Sequence, residues 1–143
     1  MIKAVRYHDI SCGHRVYGHE SKCNNLHGHN YRIHFEVQGD LDSIGRVMDF
    51  SVIKTRLCNW LENNYDHKFL LWENDPILNK MQSLDENVLS VPYNPTAENI
   101  AKYLVEKIAP EQLKDTGCVL VKCIVEETMK CSASYEIIYS KSS

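Results

Sequence analysis

The sequence predicts a two-layer α+β domain in the order β-β-α-α-β-β: a four-stranded antiparallel sheet with two helices on one face. Three observations predict it. Apolar residues alternate with polar ones at Tyr31, Ile33, Phe35 and Val37, and again at Val119, Val121, Cys123 and Val125, the period of a half-buried strand. Apolar residues recur at helical spacing at Ile53, Leu57, Trp60 and Leu61, and at Ile100, Tyr103, Leu104 and Ile108. The chain has 143 residues, the length of one ordinary domain, and shows no internal repeat, so residues 1–143 are read as a single unit.

The first strand is expected over Ala4–His14, paired with a second that starts near His27 and ends before the turn residues Gly39-Asp40-Leu41-Asp42-Ser43. The first helix follows Met48-Asp49-Phe50-Ser51, with Asp49 or Ser51 as its cap. Residues 73–95 carry Asn, Asp, Ser and three prolines and read as a long irregular connection, a length often functional inside a small domain. The second helix begins at Thr96 as N-cap, with Glu98 in the first turn, where the dipole favours it, and ends at Pro110. Two strands close the chain, over residues 117–127 and around Tyr135, Ile137 and Tyr139. Apolar residues left on the sheet's second face argue for burial by oligomerisation.

Composition excludes several classes. Net charge is −3, so there is no basic field for nucleic acid. No apolar run exceeds four residues, far short of the roughly 20 that span a bilayer. The first residues lack the apolar core of a secretory signal, which makes a cytoplasmic location the expectation. Six cysteines form no Cys-x-x-Cys pair, and in a reducing compartment they are expected as free thiols.

The chemistry concentrates in His14 and in Cys23-Asn24-Asn25-Leu26-His27-Gly28-His29. Imidazoles two residues apart on a strand point the same way, and a third on the neighbouring strand completes a facial set, the ligand count of a catalytic zinc site. Gly28 between them would let backbone approach a ligand. Cys23 is either a fourth ligand, which would close the site, or a reactive thiol favoured as thiolate by Lys22 and a nearby metal. His8, His19 and His34 lack this context and read as solvated or structural. Asp66-His67 reads as a general-base dyad or as a helix-terminal histidine favoured by the dipole. By parity Glu127 continues the valine face, where a carboxylate must find donors or serve a ligand.

Together these pieces make the chain resemble the 6-pyruvoyl-tetrahydropterin synthase and 6-carboxy-tetrahydropterin synthase family. The matching segments are Gly13-His14-Arg15, Lys22-Cys23 through His29-Asn30-Tyr31, Val47-Met48-Asp49-Phe50, Tyr65-Asp66-His67-Lys68-Phe69-Leu70, Pro95-Thr96-Ala97-Glu98-Asn99 and Glu127-Thr128. The resemblance implies that His14, His27 and His29 bind Zn2+. It implies that Cys23 abstracts a proton, with Asp66 and His67 completing a triad from an adjacent subunit. It further implies that Glu127 anchors a pterin ring and joins the proton relay, and that Thr96 contacts the pterin. The implied fold is the tunnelling fold, with trimers closing a barrel and two trimers stacking into a homohexamer. The implied substrate is a small-molecule pterin triphosphate, with no nucleic acid or membrane as partner. Three residues separate Cys23 from His27, whereas the pyruvoyl-forming enzymes place a longer segment there. The short gap points to the 6-carboxy-tetrahydropterin branch, which feeds queuosine and 7-deazaguanine synthesis. Arg15, Lys22, Lys68 and Lys130 are candidates for the triphosphate by their nearness to motifs. Ser11-Cys12-Gly13 and residues 128–132 depart from the usual pattern, and the role of Cys12 is open.

Overall fold

The computed structural model describes residues 1–140, so the last three residues of the expected 1–143 unit lie outside the described residues. Strand β1 (Lys3–His14) and strand β2 (His27–Gln38) pair antiparallel along their whole length, from Lys3 opposite Gln38 to His14 opposite His27. Helix α1 is continuous from Phe50–Ile53 through a π-helical turn, Lys54–Cys58, into Asn59–Asn64. Strand β3 (Phe69–Trp72), helix α2 (Leu78–Leu84) and strand β4 (Val88–Val91) follow. Helix α3 comprises Ala97–Tyr103, a second π-helical turn, Leu104–Ile108, and Ala109–Gln112. Strands β5 (Val119–Glu126) and β6 (Ser132–Glu136) complete a sheet of order β4-β3-β1-β2-β5-β6.

The α+β class and the four long-sequence elements of the expected sheet are present, but the sheet has six strands and is mixed rather than antiparallel. β3 pairs parallel with the Gly13–His14 end of β1, and β4 parallel with β3. The expected irregular connection therefore holds a helix and a strand. Four-residue strands carry too little alternation to be read locally, and these two are defined by their partners.

Local chemistry explains the rest. Asp49 caps α1 by accepting from Ser51 N, and Thr96 caps α3 by accepting from Asn99 N. Pro110 does not end α3, which runs on to Gln112. The π-helical turn just before it already breaks the regular ladder, so the missing N–H falls where bonding is irregular. One core joins Tyr31, Ile33, Phe35 and Val37 of the sheet to Ile53, Leu57 and Leu61 of α1 and to Ile100 and Leu104 of α3. On β5 a bulge opposite Glu36 and Val37 shifts the phase, so that Leu120 rather than Val119 takes the buried place beside Val37. In the last strand Tyr135 packs on the core, while Ile137 and Ile138 lie beyond the strand's end and are exposed.

Gly28 also differs from expectation. It lies on the outer face of the sheet, opposite Gly13, and a Cβ there would meet the Cys12 carbonyl rather than a ligand. At Gly13 a Cβ would sit 2.3 Å from the Phe69 ring, so that glycine lets β3 close on β1. Among the described residues, no helix is long and apolar enough to cross a membrane.

Candidate metal centre and active site

The β1–β2 register builds the cluster. His14 and His27 are directly opposed at one end of the hairpin, and His29, two residues along β2, falls on the same face. That face is the core face, so His14 is 1% exposed. Just past the end of β5, Glu127 arrives beside them, its N–H donating to Cys131 O at 3.0 Å. One ligand atom from each of His14, His27, His29 and Glu127 lies within 4.8 Å of the others. Cys23 is not in this group.

The hydrogen bonds determine what the cluster can hold. His14 Nδ1 donates to Pro95 O at 2.7 Å, and His27 Nδ1 donates to Asn25 O at 2.7 Å. A carbonyl oxygen only accepts, so both Nδ1 atoms carry the proton and both Nε2 atoms present lone pairs. Those two Nε2 atoms are 3.0 Å apart. Two neutral imidazoles cannot bond in this way, and their lone pairs repel unless a cation lies between them. His29 Nε2 is buried without an aligned hydrogen bond, although Glu127 Oε1 lies 2.8 Å away. Converging imidazole nitrogens, outer nitrogens tied to carbonyls and a carboxylate at hand are a donor set that fits a divalent transition metal. Burial holds His29 below the ordinary histidine pKa against the opposing pull of Glu127.

Cys23 sits half-buried in a 3₁₀ turn, Lys22–Asn24, in the loop between β1 and β2. Nearby, burial pushes the Tyr31 phenol up, and the charge of Glu127 adds to the effect. Cys12, the second thiol near the metal site, is buried and its pKa is pushed up to about 12 by desolvation and by Asp66. It is a neutral core residue.

Asp66 and His67 face each other, against the rule for sequence neighbours, because His67 adopts φ 60°, in the left-handed region. Asp66 Oδ2 lies 2.8 Å from His67 Nδ1, and Asp66 Oδ1 accepts from Ser11 N at 2.9 Å. His67 N donates to Ser11 O at 2.7 Å, fastening the pair to the edge of β1. Its ring is 80% exposed and opens on an outer groove with Asp9, Ser11, Asn30 and Arg32. The dyad is thus formed and is not part of the group of His14, His27, His29 and Glu127, although His67 and His29 line one groove.

Thr96 caps α3 next to Pro95, the residue that accepts from His14. Glu127 is one of the four residues whose atoms could hold a metal, a place signalled in the sequence by its parity with the buried valines of β5. Arg15 Nε lies 3.3 Å from the buried Asp75, and Lys68 Nζ donates to Asn87, so both already have partners. His8 pairs with Glu62, His34 with Glu126, and His19 accepts from Ser21 N, all structural roles.

A mixed sheet backed by helices, carrying three strand-borne imidazoles at one end of a hairpin, defines an α+β protein with a ligand set suited to a divalent metal. Residues 3–137 match the 6-pyruvoyl tetrahydropterin synthase family, and the chain belongs to it. It is 34% identical over 134 residues to the 6-carboxy-5,6,7,8-tetrahydropterin synthase of Rickettsia typhi, covering 92% of this chain and 97% of that one. Its fold matches the 6-pyruvoyl tetrahydropterin synthase of Caenorhabditis elegans with a TM-score of 0.69 at 25% identity, over 96% of both chains. It also matches an uncharacterized protein, WS1659, of Wolinella succinogenes, with a TM-score of 0.83 at 20% identity over 94% of this chain and 97% of that one, a likeness of fold alone.

Proposed function

We propose that the chain is a zinc-dependent lyase that converts 7,8-dihydroneopterin triphosphate and one water to 6-carboxy-5,6,7,8-tetrahydropterin, acetaldehyde and triphosphate. The observation that carries this reading is the convergence of His14, His27 and His29, with the outer nitrogens of His14 and His27 held by carbonyls. Curated relatives named for the carboxy product, and the three-residue gap between Cys23 and His27, support that branch.

His14, His27 and His29 would hold zinc, which when bound supplies a Lewis acid for the oxygens of the substrate side chain. Cys23, left out of the ligand group, takes a carbon-bound proton as thiolate. His67, oriented by Asp66, returns or accepts a proton as the partner acid/base. Because the dyad lies at the outer edge of β1, it serves the Cys23 of an adjacent subunit, within trimers that stack into a homohexamer. Glu127 grips the pterin through two side-by-side N–H groups, the bidentate pattern a carboxylate prefers. To do so its carboxylate turns from the imidazoles it now faces. Thr96 adds a contact on the pterin side while keeping its capping bond.

Product analysis tests the reaction. Zinc-loaded protein incubated with 7,8-dihydroneopterin triphosphate should release acetaldehyde and a 6-carboxy pterin. A pyruvoyl pterin without acetaldehyde would move the chain to the other activity of its family.

A further inference from the structure

The Cys23 loop, residues 15–26, has one short turn and no strand pairing, yet a proton-abstracting thiol must be held to a fraction of an ångström. One side chain outside the loop supplies a hold. Asn94 Nδ2 donates to Tyr17 O at 2.9 Å, and Asn94 Oδ1 accepts from Tyr17 N at 3.1 Å. This is the bonding that a paired strand would give, made here by a single half-buried amide. One residue before Tyr17, Val16 N donates to Cys23 O at 2.8 Å, so the clamp is one residue from the contact that fixes the cysteine backbone.

On its other side Asn94 is tied to the metal centre. Its carbonyl accepts from Thr96 N at 2.7 Å and from Asn99 Nδ2 at 3.0 Å. The carbonyl between them, that of Pro95, accepts from His14 Nδ1. The same short loop therefore aims a histidine of the cluster and grips the segment that carries the thiol. Arg15 pins the start of that segment elsewhere, to Asp75, and lies over the Tyr17 ring at 5.5 Å.

We infer that Asn94 is a positioning residue that sets Cys23 relative to the histidine cluster through its two bonds to the Tyr17 backbone. The inference rests on the proposed catalytic role of Cys23. Its amide is needed as both donor and acceptor, which aspartate, leucine or alanine cannot supply.

The test uses the zinc-loaded full chain with Asn94→Ala and Asn94→Asp, reading kcat and KM separately, metal content, and iodoacetamide labelling of Cys23 resolved by peptide mass spectrometry. Asn94→Ala should lower kcat by about 10- to 100-fold, the cost of a slightly misplaced catalytic group, with KM and metal content unchanged. Cys23 labelling should speed up by about tenfold, as expected when two ordinary hydrogen bonds that close the loop are lost. Asn94→Asp keeps the bond from Tyr17 N and loses the other, so its values should fall between. Labelling at the wild-type rate in both variants overturns the inference. So does a fall in kcat matched by loss of metal, which would assign Asn94 to His14 alone. If Asn94→Ala does not fold, Asn94→Asp, which has the same shape, decides by the same readings. Cys23→Ser separates the two ideas: retained turnover removes the catalytic reading of Cys23, while the labelling rates still report the clamp.

Discussion

Two cysteines show how one side chain acquires different chemistry from its surroundings. Cys12 faces the core between strands, and desolvation with the nearby Asp66 charge raises its pKa to about 12 from a reference of 9.0. Its folded-state pKa is raised, so its contribution to stability is complete below about pH 9 and declines as pH rises toward 12. Iodoacetamide at pH 8 should therefore leave Cys12 unlabelled in the folded protein and label it once the chain is unfolded. Labelling in the native state would place this thiol outside the core. Cys23 is half-buried in a polar turn and outside the ligand group. Cys23→Ala should cut turnover by about 10²- to 10⁴-fold, the range for a lost acid/base group, while zinc stays bound. Loss of zinc with turnover would instead make the site structural. His14→Ala should remove the metal, since it takes away the buried imidazole at the centre of the group. Acidification should release metal as well, because a ligating imidazole must be neutral and protonation competes for the same nitrogen.

Elements convert these residues into a site. The twelve-residue antiparallel pairing of β1 with β2 fixes His14 opposite His27, and a slip of one residue would send His27 and His29 to the outer face. That arrangement was legible in the sequence because both histidines share the parity of Tyr31, Ile33 and Phe35. The caps at Asp49 and Thr96 were legible too, since capping is local chemistry. β3 and β4 were not: Leu70 and Val91 are core residues, but each strand is four residues long, and β3 takes its definition from β1 and β4 from β3. The facing geometry of Asp66 and His67 was not legible, because it depends on the φ of His67, which no spacing reveals. Glu127 was placed on the correct face but its posture toward the imidazoles depends on the turn with Cys131. Thr96→Ala removes the bond to Asn99 N and should cost about 1 kcal/mol in chemical unfolding. KM should rise as well, because Thr96 also contacts the pterin; an unchanged KM would leave it a cap alone.

At the scale of the molecule, the histidine cluster sits at one end of the β1–β2 hairpin and the Asp66–His67 dyad is fastened to β1 at Ser11, and neither alone completes the proposed proton relay. The half-exposed Val5 and Tyr7 on the outer face leave apolar surface for another subunit to cover. Assembly makes a specific prediction. Cys23→Ala and His67→Ala variants, each inactive alone, should regain activity when unfolded together and refolded, because mixed oligomers contain sites with both residues intact. Absence of recovery, with mixed oligomers formed, would place the triad within one chain. The family to which the chain belongs and the donor set of its hairpin thus converge on one account, in which metal binding and proton transfer are carried by different side chains.

The division between His14, His27 and His29 as ligands and Cys23 as thiol base is tested most directly by zinc K-edge X-ray absorption of the zinc-loaded protein. The account predicts a first shell of nitrogen and oxygen only, at about 2.0–2.2 Å. A sulfur scatterer at about 2.3 Å, lost on Cys23→Ala, would put the cysteine on the metal and contradict it.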